Sequence, residues 1–164
     1  MQLPSLAAIK KELNHLDSKE LTDIIIELSK FTRDNKAYLY FKLFERDNPQ
    51  LFVEMVQEEL ETEFQKANTK HYYVAKKSAQ AIRRKLNKNL KLTKDKIMQI
   101  ELIGYFCEQL KAYGYLDFHH PVIDNLYNVQ VGKIEKLVSG LHEDLQYDYQ
   151  EKIQQLKLKS FNGF

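Results

Sequence analysis

Apolar residues recur every three or four positions along most of this chain, which is the spacing of one face of an α-helix. Few turn-forming residues interrupt the pattern, since the 164 residues include only five Gly and three Pro. These two residues average about 7% and 5% of protein sequences, and a β-sandwich or an α/β fold needs many turns that contain them. The sequence therefore predicts an all-α protein.

Local signals divide the pattern into separate helices. Asp17 and Glu20 form a capping-box pattern, which places a helix start directly after Asp17. Asn48 followed by Pro49 is typical of an N-cap and the first helical residue, and Gly114 is typical of a helix C-cap. The predicted helices cover residues 5–16, 18–31, 34 or 35 to 43, 49–64, 69–90, 93–113, 121–139 and 141–157.

The chain is long enough to bury a core of its own. A domain of this length removes roughly 70% of its unfolded surface from water, and 43% of the residues are apolar. The predicted architecture is an irregular orthogonal bundle, or a HEAT-like stack of helix hairpins, of about seven to eight short helices. We expect one helical domain over residues 1–159 and a frayed C-terminal tail over residues 160–164.

Several absences indicate where the protein resides. No run approaches the ~20 apolar residues of a membrane span, and residues 1–11 lack the apolar region of a secretory signal. The single cysteine, Cys107, cannot form an intrachain disulfide; because it lies in the apolar run 102–110, we expect it to pack in the core. These features predict a cytoplasmic protein that does not contact a membrane.

Charge is segregated along the chain, although the net charge is only +2. Residues 45–63 contain seven acidic residues and one basic residue, whereas residues 66–96 contain eleven basic residues and one acidic residue. The two blocks fall on consecutive predicted helices. Their juxtaposition raises the question of whether the basic helix faces the solvent or is paired with the acidic one.

The basic helix has an apolar seam on one side and cations on the other, when its residues are projected at about 100° per residue. A tyrosine lies among the cations. Such a surface can hold phosphates by releasing counterions and can stack a base on the aromatic ring. The candidate contacts for a nucleic acid or another anion are Tyr73, Lys76, Lys77, Arg83, Arg84, Lys88 and Lys91.

A second interpretation of the same helix involves no ligand. Charged residues opposite an apolar seam are what any solvated helix shows, and the acidic helix, with Glu54, Glu58, Glu61 and Glu63, can pack against it and neutralise part of the charge. Exposed pairs contribute only ~0–1 kcal/mol each. The sequence favours a basic helix that binds no nucleic acid. It leaves open whether the cations of this helix face the solvent or pair with the acidic helix.

The motifs of common enzymes are missing. The glycines are too far apart for a P-loop or a dinucleotide-binding loop. His142 and Glu143 begin a pattern like H-E-x-x-H, but Gln146 replaces the second histidine that would fix a zinc ion. The acids Asp144 and Asp148 alternate with apolar residues in a way that favours a face exposed to water. The sequence predicts no catalytic residue, no metal and no cofactor.

Three stretches carry a resemblance to other proteins. Residues 72–77 (YYVAKK), 103–107 (IGYFC) and 142–149 (HEDLQYDY) resemble segments of small all-helical bacterial proteins of unassigned function, found mostly in Bacteroidetes-type genomes. The resemblance covers residues 70–155. It implies an all-α fold and a bacterial source, and it supplies no activity or site residue.

Three hypotheses of function follow. The leading one is a non-enzymatic interaction or scaffold protein that binds a protein partner or itself through a helical surface. The second is nucleic-acid binding through the basic helix at residues 70–96. The third is a metal-dependent enzyme using residues 142–144 or Asp148 with His119 or His120.

Overall fold

The computed structural model describes residues 1–45 and 47–158, with all side chains except that of Leu158. Over these residues the chain forms eight α-helices, one short 3-10 helix and no strand, which confirms the predicted all-α class and the number of helices. No helix in these two ranges is both long and apolar enough to cross a membrane. The helices are α1 Leu6–Leu13, α2 Ser18–Phe31, α3 Arg33–Phe44, α4 Leu51–Lys66, α5 Tyr72–Leu90, α6 Lys96–Ala112, the 3-10 helix Leu116–Phe118, α7 Pro121–Ser139 and α8 Glu143–Leu158.

The chain divides into two compact units, residues 1–48 and residues 49–164. The first carries α1 to α3, and the second carries α4 to α8. The single domain expected over residues 1–159 stays a prediction. The tail expected over residues 160–164 lies outside the described residues.

In the first unit, α2 packs against α3. The capping box before α2 is confirmed, because the Glu20 N–H donates to Asp17 Oδ1 (2.8 Å) and the Asp17 N–H donates to Glu20 Oε2 (2.9 Å). The predicted start of α3 after residue 34 or 35 is wrong, since Thr32 is the N-cap and its Oγ1 accepts from the Asn35 N–H at 3.0 Å. No residue of α1, α2 or α3 is buried.

The second unit is organised around α6, which packs against α4, α5 and α7, while α7 also packs against α8. Helix α6 buries seven residues that spread over more than half of its circumference. Its neighbours each contribute one apolar stripe. The buried residues of α6 are Ile100, Leu102, Ile103, Gly104, Phe106, Cys107 and Leu110.

Four helices of the second unit begin later than the sequence predicts, among them α8, which begins at Glu143 and not at residue 141. Helix α4 begins at Leu51 and not at Pro49, and α5 begins at Tyr72 and not at residue 69. Helix α6 begins at Lys96 and not at Thr93, because Thr93 Oγ1 accepts from the Asp95 N–H (3.1 Å) in the turn before the helix. Asp95 is the N-cap that accepts from the first turn of α6.

The C-terminus of α6 has the geometry that the sequence predicts. Gly114 has a φ of +74°, a conformation that favours glycine. Its N–H donates to the Lys111 carbonyl, and the next N–H, of Tyr115, donates to the Leu110 carbonyl, both at 3.0 Å. This pair of bonds is the Schellman motif, which ends the helix and turns the chain toward α7.

We expect Phe64→Ala to destabilise the second unit by about 3–5 kcal/mol, because it leaves a cavity at a fully buried site. The Phe64 ring contacts the rings of Phe106, Tyr113 and Tyr115 at centroid distances of 5.8, 5.4 and 5.8 Å. Urea unfolding followed by far-UV circular dichroism and tyrosine fluorescence measures the change. Met55→Ala, at an exposed position of the same helix, is the control and should cost less than about 1 kcal/mol. Equal losses in the two variants would contradict the assignment of Phe64 to the core.

Candidate functional site

Helix α5 holds the residues that the sequence proposes as anion contacts. Its apolar seam is buried, and its opposite side faces the solvent. Arg83 and Lys76 are partly buried, whereas the other candidates are exposed. The exposed side extends about 27 Å from Tyr73 to Lys91, at about 1.5 Å per residue. We call this side the basic face and define it by Tyr73, Lys76, Lys77, Arg84, Lys88 and Lys91.

The acidic helix α4 pairs with α5 at one edge. Lys85 Nζ lies 3.4 Å from Glu59 Oε1 and 3.0 Å from Glu63 Oε1, and Asn89 Nδ2 donates to Glu59 Oε2 at 2.9 Å. Burial acts to lower the pKa of Lys85, but the hydrogen bonds and the charges of the two carboxylates raise it overall. The pairing of the two helices, which the sequence leaves open, therefore exists at this edge, and it uses Lys85, which is not among the candidate contacts.

Another α4 carboxylate is directed toward α6. Glu61 accepts hydrogen bonds from the hydroxyls of Tyr113 (2.6 Å) and Tyr105 (2.9 Å) and from Gln65 Nε2 (2.9 Å). The bonds from Tyr113 and Gln65 lower the pKa of Glu61 most, because they stabilise its charged form. Glu61 thus joins α4 to α6 and does not neutralise the basic face.

Most cations of α5 have no carboxylate partner. Among the residues that the structure describes, Lys76, Lys77, Arg84 and Lys91 form no ion pair. Arg83 also forms no ion pair with a residue that the structure describes. Its Nε atom is buried without a hydrogen-bond partner among those residues. No carboxylate of the described residues therefore neutralises Lys76, Lys77, Arg84 or Lys91.

The aromatic residue of the basic face, Tyr73, is bracketed by two lysines. The Nζ atom of Lys77 lies 4.4 Å from the centre of the Tyr73 ring, and that of Lys76 lies 5.4 Å from it. A hydrogen bond to Lys77 and the positive charges of both lysines lower the pKa of the Tyr73 hydroxyl. The residue is 53% exposed, so one surface combines an accessible aromatic side chain with two ammonium groups.

Helix α7 adds a cation that the sequence does not point to. Lys133 Nζ donates to Asn87 Oδ1 at 3.4 Å, which places the lysine beside the basic face. Nothing in the local pattern of α7 identifies Lys133, because its position beside α5 follows only from the packing of the two helices.

The histidines of the third hypothesis occupy three different structural positions. His120 is the N-cap of α7, where its Nδ1 accepts from the Val122 N–H at 3.2 Å, as expected from its place before Pro121. His119 ends the 3-10 helix with a φ of +46°. His142 is exposed beside Asp144, with Nδ1 3.5 Å from Oδ2.

The acids of α8 face the solvent, as expected: Asp144, Asp148 and Glu151 are all exposed. Over residues 1–45 and 47–158, no three His, Cys, Asp or Glu residues are grouped so that they could hold a metal ion. The expected burial of Cys107 is confirmed, and burial raises the pKa of its thiol to about 12.

Comparison of this chain with protein-family models, with curated proteins and with solved structures finds no match. The resemblance to small helical bacterial proteins therefore stays a prediction.

The Glu61 cluster predicts a pH dependence of stability. Because folding lowers the pKa of Glu61 from its ordinary value of 4.5, its ionised form stabilises the fold above that pH, and the stabilisation is lost as the pH falls through the folded-state pKa. We expect Glu61→Gln to be less stable than the wild type by about 0.5–1 kcal/mol at pH 7. The difference should shrink steadily as the pH falls below 4.5.

Urea unfolding at a series of pH values measures this difference. Glu58→Gln removes the same charge from an exposed position of α4 whose side chain contacts no described partner. A pH-independent difference for Glu61→Gln, or the same profile in both variants, would show that the tyrosine bonds to Glu61 are not the cause.

Proposed function

We propose that this protein is a non-enzymatic binding protein whose basic face binds single-stranded nucleic acid. The observation that carries the proposal is the placement of the α4 carboxylates. Glu59 and Glu63 contact Lys85 at the edge of α5, and Glu61 contacts two tyrosines of the α6 side. Lys76, Lys77, Arg84 and Lys91 form no ion pair with any residue that the structure describes, so their positive charge remains available to an anionic ligand.

The length and spacing of the basic face suit a polyanion. From Lys77 to Lys91 its cations recur at one- to two-turn intervals over about 21 Å, which supports contacts with several phosphates of one strand. Each contact releases counterions, so the affinity should fall steeply as the salt concentration rises. Lys133, beside Asn87, widens the cationic surface on the α7 side.

Tyr73 supports a single strand over a duplex. Its ring is exposed at the N-terminal end of the basic face, where an unpaired base can stack on it. Bases in a duplex are already stacked and do not present their faces to such a ring. The protein therefore combines phosphate contacts along α5 with one stacking position. Its cytoplasmic location and its bacterial source stay predictions.

We expect Arg84→Glu/Lys91→Glu to weaken binding to labelled single-stranded RNA and DNA by about tenfold or more, since it removes two charge-assisted contacts. The slope of log affinity against log salt should also become shallower, by about 1.4 if two phosphates of a single strand are lost. Fluorescence anisotropy at several salt concentrations measures both quantities. The control Lys19→Glu/Lys111→Glu changes the net charge equally at exposed positions outside α5. No binding of the wild type at low salt, or equal weakening in both variants, would contradict the proposal.

We expect Tyr73→Ala to weaken binding to single strands by about fivefold or more, because stacking of one base is worth about 1–3 kcal/mol. Binding to a duplex of the same length should change less. Tyr73→Phe keeps the ring and should retain most of the affinity. The control Tyr147→Ala removes a tyrosine that is 76% exposed on α8. If Tyr73→Ala and Tyr147→Ala behave alike, the stacking role of Tyr73 is wrong.

A further inference from the structure

The first unit has an ordered three-helix arrangement without a core of its own. Residues 1–48 form a compact unit, yet no residue of α1, α2 or α3 is buried. Ordering a chain costs conformational entropy, which folded proteins recover mainly by burying apolar surface. Small units that cannot bury enough surface alone are usually stabilised by association. The exposed apolar side chains of the first unit therefore need to be buried against another surface if its helices are to stay ordered.

The surface left uncovered is strongly apolar. On α2, Ile24, Ile25, Leu28 and Phe31 lie within an arc of about 120°, and their exposed fractions range from 41% to 75%. Helices α1 and α3 contribute further exposed apolar residues. These are Leu6, Ile9, Leu13, Tyr38, Tyr40, Leu43 and Phe44. We call these side chains of residues 1–48 the apolar surface.

The size of this surface matches what a pair of copies needs. If about ten of these half-exposed side chains lie in one contact, covering them removes on the order of 500 Å² of apolar area from each copy. Two copies then reach about 1,000 Å² in total, which is near the lower bound for specific protein interfaces. The apolar surface is thus large enough for a modest, reversible association.

The charge of the first unit is compatible with self-association and disfavours a strongly charged partner. Residues 1–48 contain eight acidic and eight basic residues, so the unit is neutral, in contrast to the eleven basic residues in 66–96. A neutral unit gives no electrostatic attraction to a polyanion or to an acidic membrane surface. It also gives no net repulsion between two copies of itself, which are equally apolar and equally neutral. When the same surface of two copies pairs with itself, the contact has two-fold symmetry.

We propose that two copies of this chain associate through the apolar surface of residues 1–48, with α2 at the centre of the contact. The interaction is separate from the basic face and does not rest on the proposed nucleic-acid binding. It makes ordering of the first unit depend on the protein concentration, because the area that stabilises its helices is supplied by the second copy.

Sedimentation velocity of the full chain, freed of nucleic acid, tests the proposal from about 1 µM to about 200 µM. We expect a concentration-dependent rise from a monomer of 19.5 kDa to a dimer. Ile25→Glu/Leu28→Lys, which leaves the net charge unchanged, should raise the dissociation constant by at least about tenfold. The matched control Val122→Glu/Val129→Lys makes the same kind of change at exposed positions of α7 and should leave it unchanged.

Amide hydrogen exchange separates loss of association from loss of folding. In the wild type, the amides of α2 should gain protection as the concentration rises, whereas those of α6 should be protected at every concentration. In the Ile25/Leu28 variant, α2 should stay unprotected while α6 remains protected. A monomer at all concentrations, or a dimer that persists in this variant, would overturn the proposal.

Discussion

The burial of α6 is the constraint on which the second unit depends. A helix whose buried residues cover more than half of its circumference must be surrounded, and α4, α5 and α7 pack on it with one apolar stripe each. Once the stripe of α5 is fixed against α6, the other side of α5 has to face the solvent, because a helix cannot rotate without exposing its seam. The basic face is thus positioned by the packing of apolar residues that carry no charge themselves.

The same packing decides how the acidic helix is used. Lys85 lies at about 90° from the centre of the apolar seam of α5, at the edge that α4 covers, which places it within reach of Glu59 and Glu63. Arg84 and Lys91 point further around the helix and are beyond that edge. The opposite charges of the two blocks therefore set the pairing of α4 with α5 at one line of contact, and they leave the solvent side of α5 cationic.

Local chemistry decides how far the sequence can predict this structure. The capping box of Asp17 and Glu20 and the C-terminal Gly114 are predictable because each acts on backbone groups within a few residues. The start of α6 is ambiguous from sequence alone, since Thr93 and Asp95 are both residues that cap helices well. In the structure, Thr93 accepts a hydrogen bond in the turn before the helix, and Asp95 caps the helix itself.

Contacts between residues that are far apart in the sequence cannot be predicted from local patterns. The basic side of α5 is visible in the helical spacing of its lysines, but the choice of Lys85 as the partner of α4 is not. The bond from Lys133 to Asn87 and the bonds from Tyr105 and Tyr113 to Glu61 likewise join residues more than 40 positions apart. Periodicity assigns a residue to a face of its own helix and says nothing of which other helix lies opposite.

The two units differ in physical character, since residues 1–48 carry exposed apolar side chains and no net charge, whereas α5 carries a row of cations. Contacts of the basic face with phosphates weaken as salt screens charge and as fewer counterions are released. Burial of an apolar, neutral surface does not depend on such screening and is strengthened by excluded salts such as sulfate. If both proposals hold, rising salt should remove a ligand from α5 and leave association through residues 1–48 intact. The two proposed interactions would then respond to salt independently.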